Sequence, residues 1–219
     1  MPARLLHLNG PPGIGKSTIA RRWAAEHPGT LCCDIDVLRT FVGGWEDDFG
    51  GAGELIRPAA LGLIGGYLRG GHDVVLPQLL ARVTEVEKFE AAALDVGATF
   101  TTVLLTADLE EVVARFHARG SDDGTSGDRD PWHAQVRRIV AEQGGDAVLA
   151  HYQRALAEVV AHRPDTVVVP SIESDVEATY TAVLAAIDDS RLSDGSNRAA
   201  SEDRRARTEG DPWPSSSTR

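Results

Sequence analysis

Lysine is nearly missing from this chain. Its 219 residues hold two, Lys16 and Lys88, beside twenty arginines. Basic charge is short as a whole: 22 lysines and arginines face 33 aspartates and glutamates, for a net charge of −11. That argues against a surface that coats nucleic acid, because polyphosphate backbones require a basic stripe. A focused positive pocket for one nucleotide remains compatible with it. Cysteine is scarce too. Cys32 and Cys33 are the whole supply, and as neighbours in an apolar run they read as packed side chains, not as a disulfide or metal framework. No apolar stretch approaches the roughly 20 residues that cross a bilayer. The opening MPARLLHLN also lacks the extended apolar segment and cleavage site of a signal peptide. These absences predict a cytoplasmic protein with no membrane partner, and they leave monomer and homodimer equally open.

What is present is an alternation. Short β-rich runs at Arg4–Asn9, Thr30–Asp34, Asp73–Pro77, Thr99–Thr106 and Asp165–Val169 alternate with apolar residues at helical spacing. The helical segments are Ser17–His27, Glu54–Arg69, Thr84–Val96, Leu109–Arg119, Trp132–Glu142, Asp146–His162 and Val176–Ile187. The pattern predicts an α/β fold: a parallel sheet covered by helices on both faces, joined by right-handed crossovers. From Asp189 the periodicity stops. Residues 189–219 mix Ser, Gly, Pro and balanced charge, six acidic against six basic, so we expect a disordered polar tail behind one domain spanning 1–188.

The strongest local signal is Gly10-Pro11-Pro12-Gly13-Ile14-Gly15-Lys16-Ser17, which fits G-x-x-x-x-G-K-[ST] between a strand and a helix. Glycines let successive N–H groups turn inward as an anion nest, and the helix N-terminus adds partial positive charge. Gly10, Gly13, Ile14, Gly15, Lys16, Ser17 and Thr18 are therefore the candidate nucleotide-binding residues. Lys16 would bridge the β- and γ-phosphates of ATP, and the Ser17 hydroxyl would ligate Mg²⁺.

A phosphate loop does not say what receives the phosphate. Strand two ends in Cys33-Asp34-Ile35-Asp36-Val37-Leu38-Arg39, and ligands of an open parallel sheet sit beyond the carboxyl ends of its strands. Asp34 or Asp36 could accept a proton from an attacking hydroxyl, hold a water of the Mg²⁺ shell, or cap the next short helix. Arg39 shares a helical face with Asp36 and could steady an anionic group. Strand three ends in Pro77-Gln78 where an ATPase carries an acid, and Asp73 lies at its other end. That speaks for a transferase. The loop Phe41–Gly51 occupies the acceptor side. Trp45 and Phe49 could stack on a ring there, while Glu46, Asp47 and Asp48 would favour a neutral or cationic compound. Arg57 and Gln78 are further candidates to line the acceptor pocket, and His7, inside the first strand, reads as a packed residue.

The phosphate loop, the D-x-D-x-x-R run at Asp34–Arg39 and a later arginine-bearing helix resemble the small P-loop kinases. The nearest grouping is that of zeta-toxin and chloramphenicol-phosphotransferase-like kinases, which also resemble the tunicamycin-resistance ATP-binding proteins. The likeness covers about residues 4–188 in element order. It implies a P-loop NTPase three-layer sandwich with a five-stranded sheet ordered 2-3-1-4-5, a mobile helical lid, and ATP-dependent phosphorylation of a small molecule's hydroxyl. Asp36 is then the base, and the metal is shared by Ser17 and, through water, Asp36. The polar segment 119–131 is the expected lid, with Arg115, Arg119 and Arg129 neutralising the transferred phosphoryl group, Arg119 foremost. The acceptor stays open between an antibiotic, a nucleoside and a nucleotide sugar. Two other readings also stay open: a resistance protein that sequesters a toxic nucleotide-like compound without catalysis, and a P-loop ATPase acting on a protein partner.

Overall fold

The computed structural model describes residues 2–118, 131–173 and 175–188. Arg119, Arg129 and most of the expected lid, as well as the expected tail 189–219, lie outside them. Chain order runs β1 (Arg4–Asn9), α1 (Lys16–Glu26), β2 (Leu31–Cys32), α2 (Ile35–Arg39), α3 (Phe49–Arg69), β3 (Val74–Pro77) and α4 (Val83–Leu94). It continues with β4 (Thr99–Thr106), α5 (Leu109–Ala118), α6 (Pro131–Glu142), α7 (Asp146–His162) and β5 (Val167–Pro170), and closes with a helix, α8, over 176–188. All strand pairs are parallel and the order is β2-β3-β1-β4-β5, as the resemblance implies.

The central strand shows why the sheet has two covered faces. Side chains of β1 alternate, as a strand's period of two dictates. Leu5 joins a core with Ile64 and Leu68 of α3 and Phe89 of α4, whereas Leu6 and Leu8 join Ile19 and Trp23 of α1 and Tyr180 and Val183 of α8. All three leucines are at most 1% exposed, each burial being worth on the order of 2 kcal/mol. Among the described residues no helix is long and apolar enough to cross a membrane.

Three expectations need correction. β2 is two residues, not five, because Asp34 turns the chain: its side chain caps α2 by accepting the Asp36 N–H. The segment expected to loop as far as Gly51 is already helical from Phe49. Asp48 is the cap, accepting the Gly51 N–H at 2.8 Å, a local bond that offsets the poor helix propensity of Gly50 and Gly51. β5 begins two residues later than expected, at Val167, and Asp165 lies outside the ladder, paired with Arg163 at 3.1 Å. Asp73, at the far end of β3, accepts the Arg4 N–H at 2.8 Å and serves the sheet.

His7 is fully buried and stacks on Phe100. Its Nε2 lies 2.9 Å from the Gln78 carbonyl oxygen and donates to it, which fixes the chain as it leaves β3. Burial, opposed by that bond, pushes its pKa down from 6.5 to about 4. The native state therefore excludes a proton that the unfolded chain takes up. Stability is full above pH 6.5 and falls as pH drops towards 4, by about 3 kcal/mol from this residue. Urea midpoints measured across that window should fall less steeply for His7→Gln, which keeps a donor towards Gln78 but cannot titrate.

Candidate active site

The phosphate loop links β1 to α1, and its geometry requires glycine. Gly10 has φ +146°, and a Cβ there would lie 2.7 Å from the Leu105 carbonyl oxygen of β4. Asn9, which the sequence reading passed over, anchors the loop's entry. Its Oδ1 accepts the Gly10 and Leu80 N–H groups at 2.9 and 3.1 Å, and its Nδ2 donates to the Leu80 carbonyl at 3.0 Å. At the exit, Gly15 (φ +103°) is the N-cap of α1. Lys16 curls back over the loop, its Nζ donating to the Gly10 and Pro11 carbonyl oxygens at 2.8 and 2.9 Å.

The two aspartates after β2 have different surroundings. Asp34 is buried; its Oδ2 accepts the Ser17 hydroxyl at 2.9 Å and its Oδ1 the Asp36 N–H at 3.1 Å. Asp36 instead presents its carboxylate to a cleft of about 570 Å³ that also reaches Lys16 and Ser17. Loss of water around it raises its pKa above the usual carboxylate range; Arg39 opposes the rise and Asp34 adds to it. The Arg39 guanidinium lies 3.6 Å away. For Mg²⁺, Ser17 Oγ beside an aspartate oxygen is a hard-oxygen pair suited to a hydrated ion completed by phosphate oxygens, so these residues fit it.

Of the acceptor-side candidates, Asp34, Asp36, Arg39, Trp45, Phe49, Arg57 and Gln78 line this cleft. Some of them also pack against one another. Trp45 and Phe49, read as stacking on an acceptor ring, lie in an aromatic cluster with Trp132 of α6, at centroid distances of 6.1 and 5.0 Å from it. Into that cluster goes Arg39, 5% exposed, with its guanidinium 3.9 Å over the Phe49 ring and 5.2 Å from that of Trp132. α6 is tied to the same loop by Gln135 and Arg138, which donate to the Glu46 carbonyl oxygen at 2.8 and 3.2 Å. Glu46, Asp47 and Asp48 do not line the cleft, so the acidity expected of the acceptor pocket lies elsewhere. Arg21, Arg137, Trp132 and Tyr152 line it without having been singled out. The α6 residues were legible only as part of the helical segment Trp132–Glu142. Trp132→Ala should lower stability by about 2 kcal/mol through lost packing and cation–π contact, read as a drop in urea midpoint.

On the other side of the loop a second cavity, of about 430 Å³, is lined by Gly13, Ile14, Gly15 and Thr18 together with Arg115 and Ser171. Arg115, expected to contact ATP from the lid, is committed to protein groups. It donates to the Ser171 hydroxyl and carbonyl oxygens, both at 2.9 Å, and to Glu111. Ser171 in turn donates to the Ile14 carbonyl oxygen at 3.0 Å. Arg115 thus clamps the end of β5 to the phosphate loop.

A glycine-rich anion nest at the head of α1, set in a parallel sheet of order 2-3-1-4-5, defines a P-loop nucleotide-binding protein with the kinase-type fold. Residues 5–142 match the AAA_33 family, described as an AAA domain, and the chain belongs to that family. In three dimensions it is similar to a gluconokinase from Sinorhizobium meliloti 1021, with 17% identity over 90% of this chain and 97% of that one and a TM-score of 0.59. A chain of the Pnkp1/Rnl/Hen1 RNA repair complex shares 20% identity over 64% of this chain and 44% of its own, with a TM-score of 0.48. No curated protein sequence matches the chain.

Proposed function

We propose that the protein is an ATP-dependent phosphotransferase that phosphorylates a hydroxyl of a small molecule, with Asp36 as general base. One observation carries this reading: Asp36 shares a cleft with Lys16 and Ser17, while Asp34 has given its two oxygens to the Ser17 hydroxyl and the α2 cap. A carboxylate held above its ordinary pKa, facing the phosphate loop across an open cleft, is suited to take a proton from an attacking alcohol. The acceptor hydroxyl oxygen forms a bond to the γ-phosphorus, its proton passes to Asp36, and the bond to the β–γ bridging oxygen breaks to release ADP. Lys16 and the loop N–H groups hold the phosphates in line, where charge stabilisation supplies most of the rate. Mg²⁺, when bound at Ser17, neutralises phosphate charge. The adenosine end of ATP takes the second cavity, beneath the Arg115–Ser171 clamp.

Within this reading Arg119 and Arg129 keep their assignment to the lid. The D-x-x-R run supports placement beside the zeta-toxin and chloramphenicol-phosphotransferase-like kinases. The fold shared with a gluconokinase adds that enzyme's acceptor to the candidates. The test is a panel of antibiotics, nucleosides, nucleotide sugars and sugar acids incubated with ATP and Mg²⁺. A product heavier by one phosphoryl group, formed in step with ADP, is expected. ADP released only when a protein is added, with no phosphorylated small molecule, would overturn the reading.

A further inference from the structure

The cleft beside Asp36 is built from cations. Lys16, Arg21, Arg39, Arg57 and Arg137 line it, against two carboxylates, Asp34 and Asp36. One of those carboxylates is turned to Ser17 and the α2 cap. A γ-phosphate accounts for Lys16 but not for the arginines further along the wall. Loss of water around the buried Arg39 makes it harder to keep protonated; Asp36, 3.6 Å away, opposes this and Arg57 adds to it. An anion at the cleft wall that Arg39 and Arg57 share would favour the charged form of both. Arg57 is only loosely satisfied by the protein: Glu85 lies 3.5 Å away and takes Arg82 at 2.7 Å. Arg39 cannot swing out to follow a ligand, because Phe49 and Trp132 hold its plane. It is a fixed fork whose Nε is buried with no partner.

Gln78 supplies the second observation. It is 5% exposed, and its backbone is pinned on both sides, its N–H to Leu8 at 3.2 Å and its carbonyl to His7 at 2.9 Å. Its side chain lines the cleft and favours the ionised form of Asp36. Its Oε1 is buried without a donor. A buried acceptor left unpaired is costly, and one lining a ligand cleft is satisfied by a ligand hydroxyl. The Pro77-Gln78 pair that replaces an acid at the end of β3 thus becomes an acceptor-reading group.

We propose that the acceptor is an anionic polyol: a compound bearing a carboxylate or phosphate, held by Arg57 and Arg39, with a second hydroxyl beside the attacking one that donates to Gln78. This rests on the phosphotransferase reading and narrows its substrate class.

The test uses the full chain and matched probes: glucose, glucuronate and glucose 6-phosphate, and uridine with uridine 5′-monophosphate. Binding to the Asp36→Asn variant is followed by calorimetry, so that affinity is read without turnover. At least one charged probe should bind about tenfold or more tightly than its neutral partner. The carboxylate and phosphate arms show which anion is preferred. Arg57→Gln, made in the same background, should remove that preference while leaving the neutral probe's affinity unchanged. Gln78→Leu should weaken the polyhydroxylated probes and keep the charge preference. With Asp36 restored, the same discrimination should appear in KM more than in kcat. If no charged probe binds better than its neutral partner, or if Arg57→Gln leaves the preference intact, the proposal is overturned. If a charged probe binds with that preference but no phosphoryl transfer follows, the substrate class stands and the phosphotransferase reading falls. Efficient transfer to neutral acceptors alone has the opposite meaning.

Discussion

Replacing Asp36 by Asn is expected to slow phosphoryl transfer by about 10²–10⁴-fold, the usual loss when a positioned general base is removed. ATP affinity should hold within about twofold, because Asn keeps the size and hydrogen-bonding reach of the side chain and Asp36 takes no part in the bonds of the phosphate loop. The pH profile sharpens the test. The carboxyl's pKa is raised, chiefly by loss of water, and the base acts only when ionised. The rate should therefore rise with pH through a range above that of an ordinary aspartate, and the Asn variant should lose that limb. Asp34→Asn makes the contrast. With one carbonyl oxygen it can cap α2 or accept from Ser17, but not do both as Asp34 does. Its defect should appear as a higher Mg²⁺ requirement and weaker ATP binding, with the pH limb retained. If both variants lost the limb equally, Asp36 would not be the base.

The contrast between these aspartates also marks how far the sequence was readable. Gly10 to Thr18 could be read because the nest is built from consecutive residues, and the sheet because apolar runs alternate cleanly with helical spacing. Asp34 and Asp36 could be placed but not told apart. Their difference is one hydrogen bond from Ser17, seventeen residues away in sequence. The loop around Glu46 was misread for a related reason. Three acids among aromatics look like ligands, yet Asp48 is a helix cap, and Glu46 offers its backbone carbonyl to α6, 89 residues downstream of it at Gln135. Gly50, Gly51 and Gly53 argued against a helix. At Gly53 the lack of a side chain lets Arg39 pack close, since a Cβ would sit 3.1 Å from its guanidinium. Packing overrode propensity there. Arg137 and Trp132 reach the cleft only through the tertiary docking of α6, which no local pattern encodes.

Lys16→Ala is the second large effect, and the scarcity of lysine makes it a clean experiment. Lys16 is the cation of the phosphate loop, and no other lysine can substitute, since Lys88 is exposed on α4. Removing it should lower kcat/KM by about 10²–10³-fold, comparable with the loss of one preorganised charge-stabilising donor. The protein without nucleotide should barely notice. Lys16 donates to two loop carbonyls, those of Gly10 and Pro11, and such bonds are worth about 1 kcal/mol net. The two effects separate in thermal unfolding. Saturating the wild type with ATP and Mg²⁺ at about 100 times Kd should stabilise it by about 2.7 kcal/mol, while the variant should unfold near the unliganded wild-type temperature with or without nucleotide. An amine-directed reagent reports the same chemistry without mutation. It has two lysine side chains to choose from, and inactivation should follow loss of the Lys16 peptide and be blocked by ATP, whereas modification of Lys88 should be neither protective nor inactivating. A Lys16→Ala protein that kept its ATP-induced stabilisation would mean that phosphate is held by the backbone nest alone. Charge on the transferred group would then have to come from the arginines of the cleft.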